Sequence, residues 1–379
     1  MVTNFPRSPD RIHGGVEKAS LGLVRGLVAF DDLSLHVVAV GATGGKTETW
    51  SDPPCTVYRV PTGWPGVLTA WNLTRRRVTR CLRRIGPDLV HVQGYGGWLS
   101  PAVRLPSVFT VHGIQERDLE YTGGRLKRLK QAVVSAVEGR ARRRFRHVIC
   151  ISPYVLNELK DQVAGDVYAI DNPVEEAFFE VQRCEVPGRL LYVGVLNQRK
   201  NIHGLVDVAH RLAEAGAAFD FRIAGPPPAA PYAARLQADV ARFGLSDRVR
   251  FIGSLSPEQV RDELAQAACL VLASFQETAP VVISEAMAAG VPVVSTDTCG
   301  VPWMVEDGAT GFVVRGGDLA AFADRVREVL ASADLRARMG RRAVEVARER
   351  FHPAVVARKT REVYYRAAGG HPEAPPDDG

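Results

Sequence analysis

The chain has 379 residues, 46% hydrophobic and 24% charged, with a formal net charge of +6. That length exceeds one ordinary hydrophobic core, and the composition excludes a disordered or fibrous chain, so two globular domains are expected. No apolar run approaches the roughly 20 residues that cross a bilayer, and the six cysteines (55, 81, 150, 184, 269 and 299) form no CxxC pair, which argues against a zinc or disulfide framework and for a reducing cytoplasm.

Short apolar runs alternate with longer helical patterns along most of the chain, a rhythm that predicts α/β architecture with two doubly wound parallel sheets. In the first half the strand candidates are 35–40, 56–60, 88–92, 107–111, 147–151 and 167–170. Only "MVTNF" precedes the loop "PRSPDRIHGGVE", which leaves room for an unusually short first strand. Basic charge concentrates next: between Arg75 and His147 stand 17 Lys and Arg against 5 Asp and Glu. Two readings stay open for the helices over 75–84 and 125–146: solvated faces, or attachment to an anionic membrane surface. Nucleic acid is disfavoured because aromatics are not interleaved with the basic residues. The seam is expected in "EVQRCEVPGR", with an N-terminal domain over 1–183 and a second over 184–352. A helix over 353–368 is expected to return to the first domain, and 369–379 reads as a disordered tail. Strand candidates in the second domain are 189–194, 219–225, 249–253, 269–274 and 291–296.

The stretch "SFQETAPVVISEAMAAGVPVV" carries the most specific chemistry. Pro280 suits a first helical position, so the helix is expected to start there. Glu277 then lies in the loop before it and Glu285 in its second turn. Between them, the open amides around Thr278, Ala279, Pro280 and Val281 form an anion site at the helix tip. Carboxylate, anion site, carboxylate is the order that suits sugar, diphosphate and ribose, because carboxylates accept hydrogen bonds from vicinal hydroxyls. Phosphates beside carboxylates need cations, and "YVGVLNQRKN" supplies Arg199 and Lys200 just after Gly194 at a strand end.

These residues resemble the retaining family-4 glycosyltransferases, which have the two-domain GT-B fold with two Rossmann-like sheets facing a central cleft. The Glu-x7-Glu signature matches at Glu277 and Glu285, followed by "EAMAAGVPVV" and "CGVPWMVEDGATGFVV". The resemblance implies that Glu285 holds the ribose, Glu277 touches the transferred sugar and Lys200 grips the diphosphate. Where relatives carry an arginine directly after the strand-end glycine, here Gly194, this chain departs: Val195 occupies the arginine position, and Arg199 is the candidate substitute. "GGVE" resembles the family's glycine-rich loop, which makes Gly14 and Gly15 donor-binding candidates, and His112, ending the strand at 107–111, resembles the histidine placed against the sugar. The loop 93–97 is a candidate for the acceptor side.

The resemblance implies a hexose-type sugar moved from a nucleoside diphosphate sugar to a hydroxyl acceptor with retention, in envelope polysaccharide or glycolipid assembly. No cofactor and no metal are expected: Glu116, Asp118 and Glu120 are the nearest thing to a metal cluster, and no Asp-x-Asp occurs. The basic helices extend this to a lipid-linked acceptor and peripheral attachment at the inner membrane face. An epimerase of the same architecture, and a catalytically weak sugar-nucleotide binding protein, stay open as alternatives. A nicotinamide dehydrogenase is disfavoured because "GGVE" lacks the GxGxxG spacing.

Overall fold

The computed structural model describes residues 1–8, 12, 14–42, 47–51, 53–62, 67–94, 105–114 and 127–370. The chain divides into two compact units, with the main divisions between Pro173 and Val174 and between His352 and Pro353.

Unit 1 holds eight strands: β1 Val2–Thr3, β2 His36–Ala42, β3 Thr47–Ser51, β4 Pro54–Pro61, β5 Val90–Gln93, β6 Ser107–Val111, β7 His147–Cys150 and β8 Asp166–Ala169. Their order is β3-β4-β2-β1-β5-β6-β7-β8, parallel throughout except for the antiparallel pair β3 and β4. The first strand is indeed short, yet it sits at the centre of the sheet, with Val2 pairing both Val38 and Val92. The last helix, Pro353–Ala368, belongs to this unit and lies against helix Gly15–Leu27. Its Val356, Ala357, Val363 and Tyr364 share a core with Leu23, Leu27, Val108 and Ile149. Inside that core His91 on β5 ties the last helix to β6, Nδ1 to the Tyr364 hydroxyl at 2.7 Å and Nε2 to Thr110 Oγ1 at 2.7 Å. Burial drives the His91 imidazole well below its ordinary range, so its neutral form bonds the two hydroxyls.

Unit 2 has six strands, all parallel: β9 Arg189–Val193, β10 Asp220–Ala224, β11 Val249–Gly253, β12 Cys269–Leu272, β13 Val293–Thr296 and β14 Gly311–Val314. The sheet order is β11-β10-β9-β12-β13-β14. Alternate residues of each strand feed opposite faces, as the two-residue period of a strand requires. Tyr192, Phe221, Ile223 and Val271 enter a core with helix Ile202–Glu214, whereas Leu191, Leu270, Leu272 and Val293 enter another with helices Pro257–Gln266 and Val281–Ala288. Covered on both faces, these strands read in sequence as short continuous apolar runs.

Three expectations are corrected. The boundary lies at 173/174 rather than 183/184, because Val174 and Phe178 are buried in the second unit's core. The 180–189 segment is pinned there too: Arg183 donates to the Ala267 carbonyl at 2.6 Å and Val186 N to Gln266 O at 2.9 Å. Pro280 caps its helix instead of starting it, since its ψ of 112° is extended and the helix begins at Val281. Two strands escaped the reading: β3, a polar edge strand, and β14, only four residues long. Of the expected tail, 369–379, residues 371–379 lie outside the described residues.

Two helical glycines give opposite expectations for the same substitution. At Gly26 an added Cβ would meet Pro353 O at 2.7 Å and Ala357 Cβ at 2.8 Å, whereas at Gly139 it would meet nothing within 4 Å. Gly26→Ala is therefore expected to destabilise by about 1–3 kcal/mol through overpacking, lowering the melting temperature by several degrees. Gly139→Ala is expected to raise stability by about 0.5–1 kcal/mol by removing backbone entropy from the unfolded chain. Calorimetric melting of both variants checks the signs.

Candidate nucleotide-sugar site

In an open parallel sheet, ligands gather outside the carboxyl ends of the strands where the strand order reverses. For unit 2 that point lies between β9 and β12, adjacent strands paired at Leu270 and Leu191. The two loops leaving these strands carry the residues singled out above.

The loop after β9 is short because its backbone is crowded. A Cβ on Gly194 would lie 2.8 Å from the Tyr192 hydroxyl, and one on Gly225 only 2.0 Å from Gly194 O. Glycine at both positions lets the phenol fold over the turn and donate to Val195 O at 3.1 Å. Gln198–Lys200 then forms a single 3-10 turn capped by Asn197, whose side chain accepts from Lys200 N at 3.1 Å. Asn201 ends that turn with φ 52° and ψ 47°, and its side chain caps helix Ile202–Glu214.

The loop after β12 brings Glu277 back against the first loop. Lys200 Nζ donates to Glu277 Oε1, and Ser274 Oγ donates to the same oxygen at 2.8 Å. The carboxylate is buried, with 5% of its residue surface exposed; burial of this degree needs such compensation, since an unpaired buried charge costs several kcal/mol. Backbone and guanidinium of Arg199 hold the same loop: Phe275 N donates to Arg199 O at 2.9 Å and Arg199 Nη1 to Gln276 O at 3.3 Å. From the loop after β13, Gly300 N donates to Glu277 O at 2.9 Å, and Thr298 Oγ1 to Ser274 O at 2.8 Å.

Thr278 and Ala279 are half-buried and lead into the cap at Pro280. Ile283 N is taken by Pro280 O at 2.9 Å, and by helix geometry the amides of Val281 and Val282 have no intrahelical acceptor. Helix Val281–Ala288 thus opens toward the loop that carries Glu277, and Glu285, with 2% of its surface exposed, sits in its second turn. One unit therefore assembles Lys200, Arg199, Glu277, the helix tip and Glu285. Val195, at the position where an arginine was expected, is half-exposed and offers no charge.

The first unit has its own strand-order reversal, between β1 and β5. Gly14 caps helix Gly15–Leu27 with φ 94°, a conformation that side chains rarely adopt. Nothing lies within 4 Å of where its Cβ would be, so glycine is required here by the backbone rather than by space. His112 follows β6, its Nε2 2.8 Å from Gln93 Oε1. Ser20 Oγ also donates to Gln93 Oε1, at 3.3 Å, and pairs with Thr3 Oγ1 at 2.6 Å. Because an amide oxygen only accepts, the histidine hydrogen sits on Nε2 and the lone pair on Nδ1. Burial lowers the imidazole to about 4, which keeps it neutral near neutrality.

Sequence reasoning missed Ser274, Asn201, Ser20 and Thr298, whereas Gln93 opens the loop 93–97 named above for the acceptor side. Asn201 carried a readable signal, an Asn directly before an amphipathic helix; Ser20 and Thr298 are small residues whose partners come from distant segments, and Ser274 is a small residue three before Glu277. Glu116, Asp118, Glu120 and 95–97 lie outside the described residues. Among the described residues no group of three His, Cys, Asp or Glu is placed to hold a metal ion, and no helix is long and apolar enough to cross a membrane.

Comparison with known proteins places this geometry. Residues 174–346 match the family described as glycosyl transferases group 1, and residues 13–178 match glycosyltransferase family 4. The D-inositol 3-phosphate glycosyltransferase of Streptomyces avermitilis is 41% identical over 136 residues, which is 36% of this chain and 29% of that protein. The alpha-D-kanosaminyltransferase of Streptomyces kanamyceticus is 27% identical over 302 residues, 74% of this chain and 77% of that one. Among solved structures, sucrose-phosphate synthase from Thermosynechococcus elongatus superposes with a TM-score of 0.80 at 20% identity, covering 93% of both chains. HepE from Anabaena, in complex with UDP-glucose, gives 0.70 at 18% identity over 95% of this chain and 98% of that one. The fold is GT-B, the two family matches together run from residue 13 to 346, and the chain belongs to the family-4-type glycosyltransferases.

Proposed function

We propose that this glycosyltransferase moves a hexose-type sugar from a nucleoside diphosphate sugar to a hydroxyl acceptor, with retention of anomeric configuration. The observation that carries this reading is the convergence, at the strand-order reversal of unit 2, of the Lys200–Glu277 pair with a helix tip and a buried Glu285. A diphosphate on the amides of Val281 and Val282 is favoured by the helix dipole. Lys200 and Arg199 offset its remaining charge, a task for which the reading assigns no metal. Glu285 takes the ribose hydroxyls and Glu277 those of the transferred sugar.

Retention follows from attack on the face that the leaving group vacates. The anomeric carbon's bond to the diphosphate oxygen breaks, its bond to the acceptor oxygen forms on the same face, and the acceptor proton passes to the departing phosphate. The chain's part is to stabilise the charge that develops on that phosphate. Unit 1 takes the acceptor, and neutral His112 orients a hydroxyl. HepE, solved with UDP-glucose at 18% identity over 95% of this chain, supports a nucleoside diphosphate sugar as donor. The inositol phosphate named for one relative supports a hydroxylated acceptor.

A second reading is favoured by Val195: with one cation fewer at the strand end, the chain binds sugar nucleotide and transfers weakly or not at all. An envelope role extends the main proposal. Six arginines (75, 76, 77, 80, 83 and 84) are exposed on helix Val67–Ile85, which has no acidic residue in its first turn. Such a face suits an anionic leaflet carrying a lipid-linked acceptor.

A thermal-shift panel of UDP-, GDP- and ADP-sugars tests the donor site. One donor is expected to raise the melting temperature by mass action, and Glu285→Ala to abolish that rise; no response from any donor would overturn the reading. Product analysis with that donor then separates the alternatives, a glycosylated acceptor supporting transfer and donor binding without turnover supporting the silent protein. Lys200→Ala is expected to cut turnover by about 10²–10³ through loss of charge stabilisation, measured by nucleotide release. Co-sedimentation with phosphatidylglycerol vesicles is expected to exceed that with phosphatidylcholine vesicles and to fall with salt.

A further inference from the structure

We infer that Asn201 is a positioning residue for the donor site, which locks the turn carrying Lys200 onto the strand end that leads to Glu277. This rests on the donor-site reading above and adds to it the device that sets the distance between the two loops.

Three independent constraints meet at this one side chain. Asn201 is one of two non-glycine residues with positive φ among the described residues, the other being Cys299. Asparagine tolerates that left-handed conformation better than most residues. Its Oδ1 accepts from Gly204 N at 3.2 Å, capping helix Ile202–Glu214, while its Nδ2 donates to Ala273 O at 3.0 Å. The amide therefore ties the start of a helix that follows β9 to the end of β12, immediately before Ser274. The neighbouring rung, Phe275 N to Arg199 O at 2.9 Å, runs between the same two loops.

Gly204 keeps this arrangement in place. A Cβ there would stand 2.5 Å from Asn201 Nδ2 and 2.9 Å from its Cγ. The amide cannot swing aside cheaply, because both of its ends are already bonded. Lys200 precedes Asn201 directly, so the left-handed turn fixes where the lysine leaves the backbone. With the turn anchored at Ala273, the long flexible lysine side chain starts from a defined point, and less of its rotamer freedom is lost when it meets Glu277 or a phosphate.

The residue series separates the parts. Asn201→Asp keeps the helix cap and tolerates the left-handed backbone, yet replaces the donor to Ala273 O with a carboxylate oxygen. Asn201→Gly keeps the backbone conformation and loses both bonds. The test is calorimetric binding of UDP, GDP and ADP, each alone, to the full chain and to N201D, K200A, E285A and the double variants N201D/K200A and N201D/E285A. For the nucleotide that binds the parent best, K200A and N201D are each expected to weaken binding about tenfold, the scale of one charge-assisted hydrogen bond. The melting temperature of N201D without ligand is expected to stay near that of the parent, and N201G to be less stable.

The coupling decides the matter. If Asn201 acts through Lys200, N201D/K200A binds no worse than K200A alone, whereas N201D and E285A multiply their effects. In turnover with the donor selected by the panel, N201D raises the donor KM and leaves the acceptor KM unchanged. Multiplicative losses in N201D/K200A, or a binding loss that merely tracks a lower melting temperature, overturn the positioning role while leaving the donor site standing. A K200A protein that binds every nucleotide as tightly as the parent overturns both.

Discussion

A buried carboxylate is costly unless it is paired, and the architecture of unit 2 is arranged around meeting that cost at Glu277. Lys200 and Ser274 come to one of its oxygens from two loops, and the backbone around it is held from a third through Gly300. Ser274 lies three residues before Glu277 in the same loop, but Lys200 and Gly300 come from other loops. They are assembled by the strand order, which sets β9 beside β12 although 77 residues separate the lysine from the glutamate. The ion pair is thus a product of topology. Since a parallel sheet gathers its loops at one end, the same topology leaves a helix tip open beside the pair.

Unit 1 solves a different problem with uncharged groups. At its own strand-order reversal, Thr3, Ser20, Gln93 and His112 form a chain of hydrogen bonds beside a glycine whose backbone no other residue adopts readily. A neutral imidazole held by an amide oxygen presents a lone pair without a net charge, which suits a sugar hydroxyl better than a phosphate. At the two strand-order reversals, charge gathers in one unit and neutral hydrogen bonding in the other, the division that the proposed transfer would use.

Much of this was readable from the residues. The strand over 107–111 stood out because a buried parallel strand appears as a short, mostly apolar run, and it has the expected bounds. Glu277 and Glu285 were legible because a proline and a helix start lay between them. What sequence could not provide was pairing across distance: that Lys200 meets Glu277, or that Thr298 reaches Ser274, depends on sheet order rather than spacing. β3 was invisible because an edge strand such as "TETWS" buries little and alternates weakly. The boundary error has the same root, since Val174 and Phe178 look like linker residues until the core that receives them is known.

The chain leaves unit 1 after Pro173 and returns to it at Pro353. Helix Pro353–Ala368 supplies Val356, Ala357 and Val363 to that unit's core and Tyr364 to His91. A ribosome releasing this chain therefore delivers the second unit as one uninterrupted piece, free to fold as it emerges, while the first waits for its closing helix. The part made earliest thus waits on a helix made after the whole of the second unit, and until then its core stays open on that side.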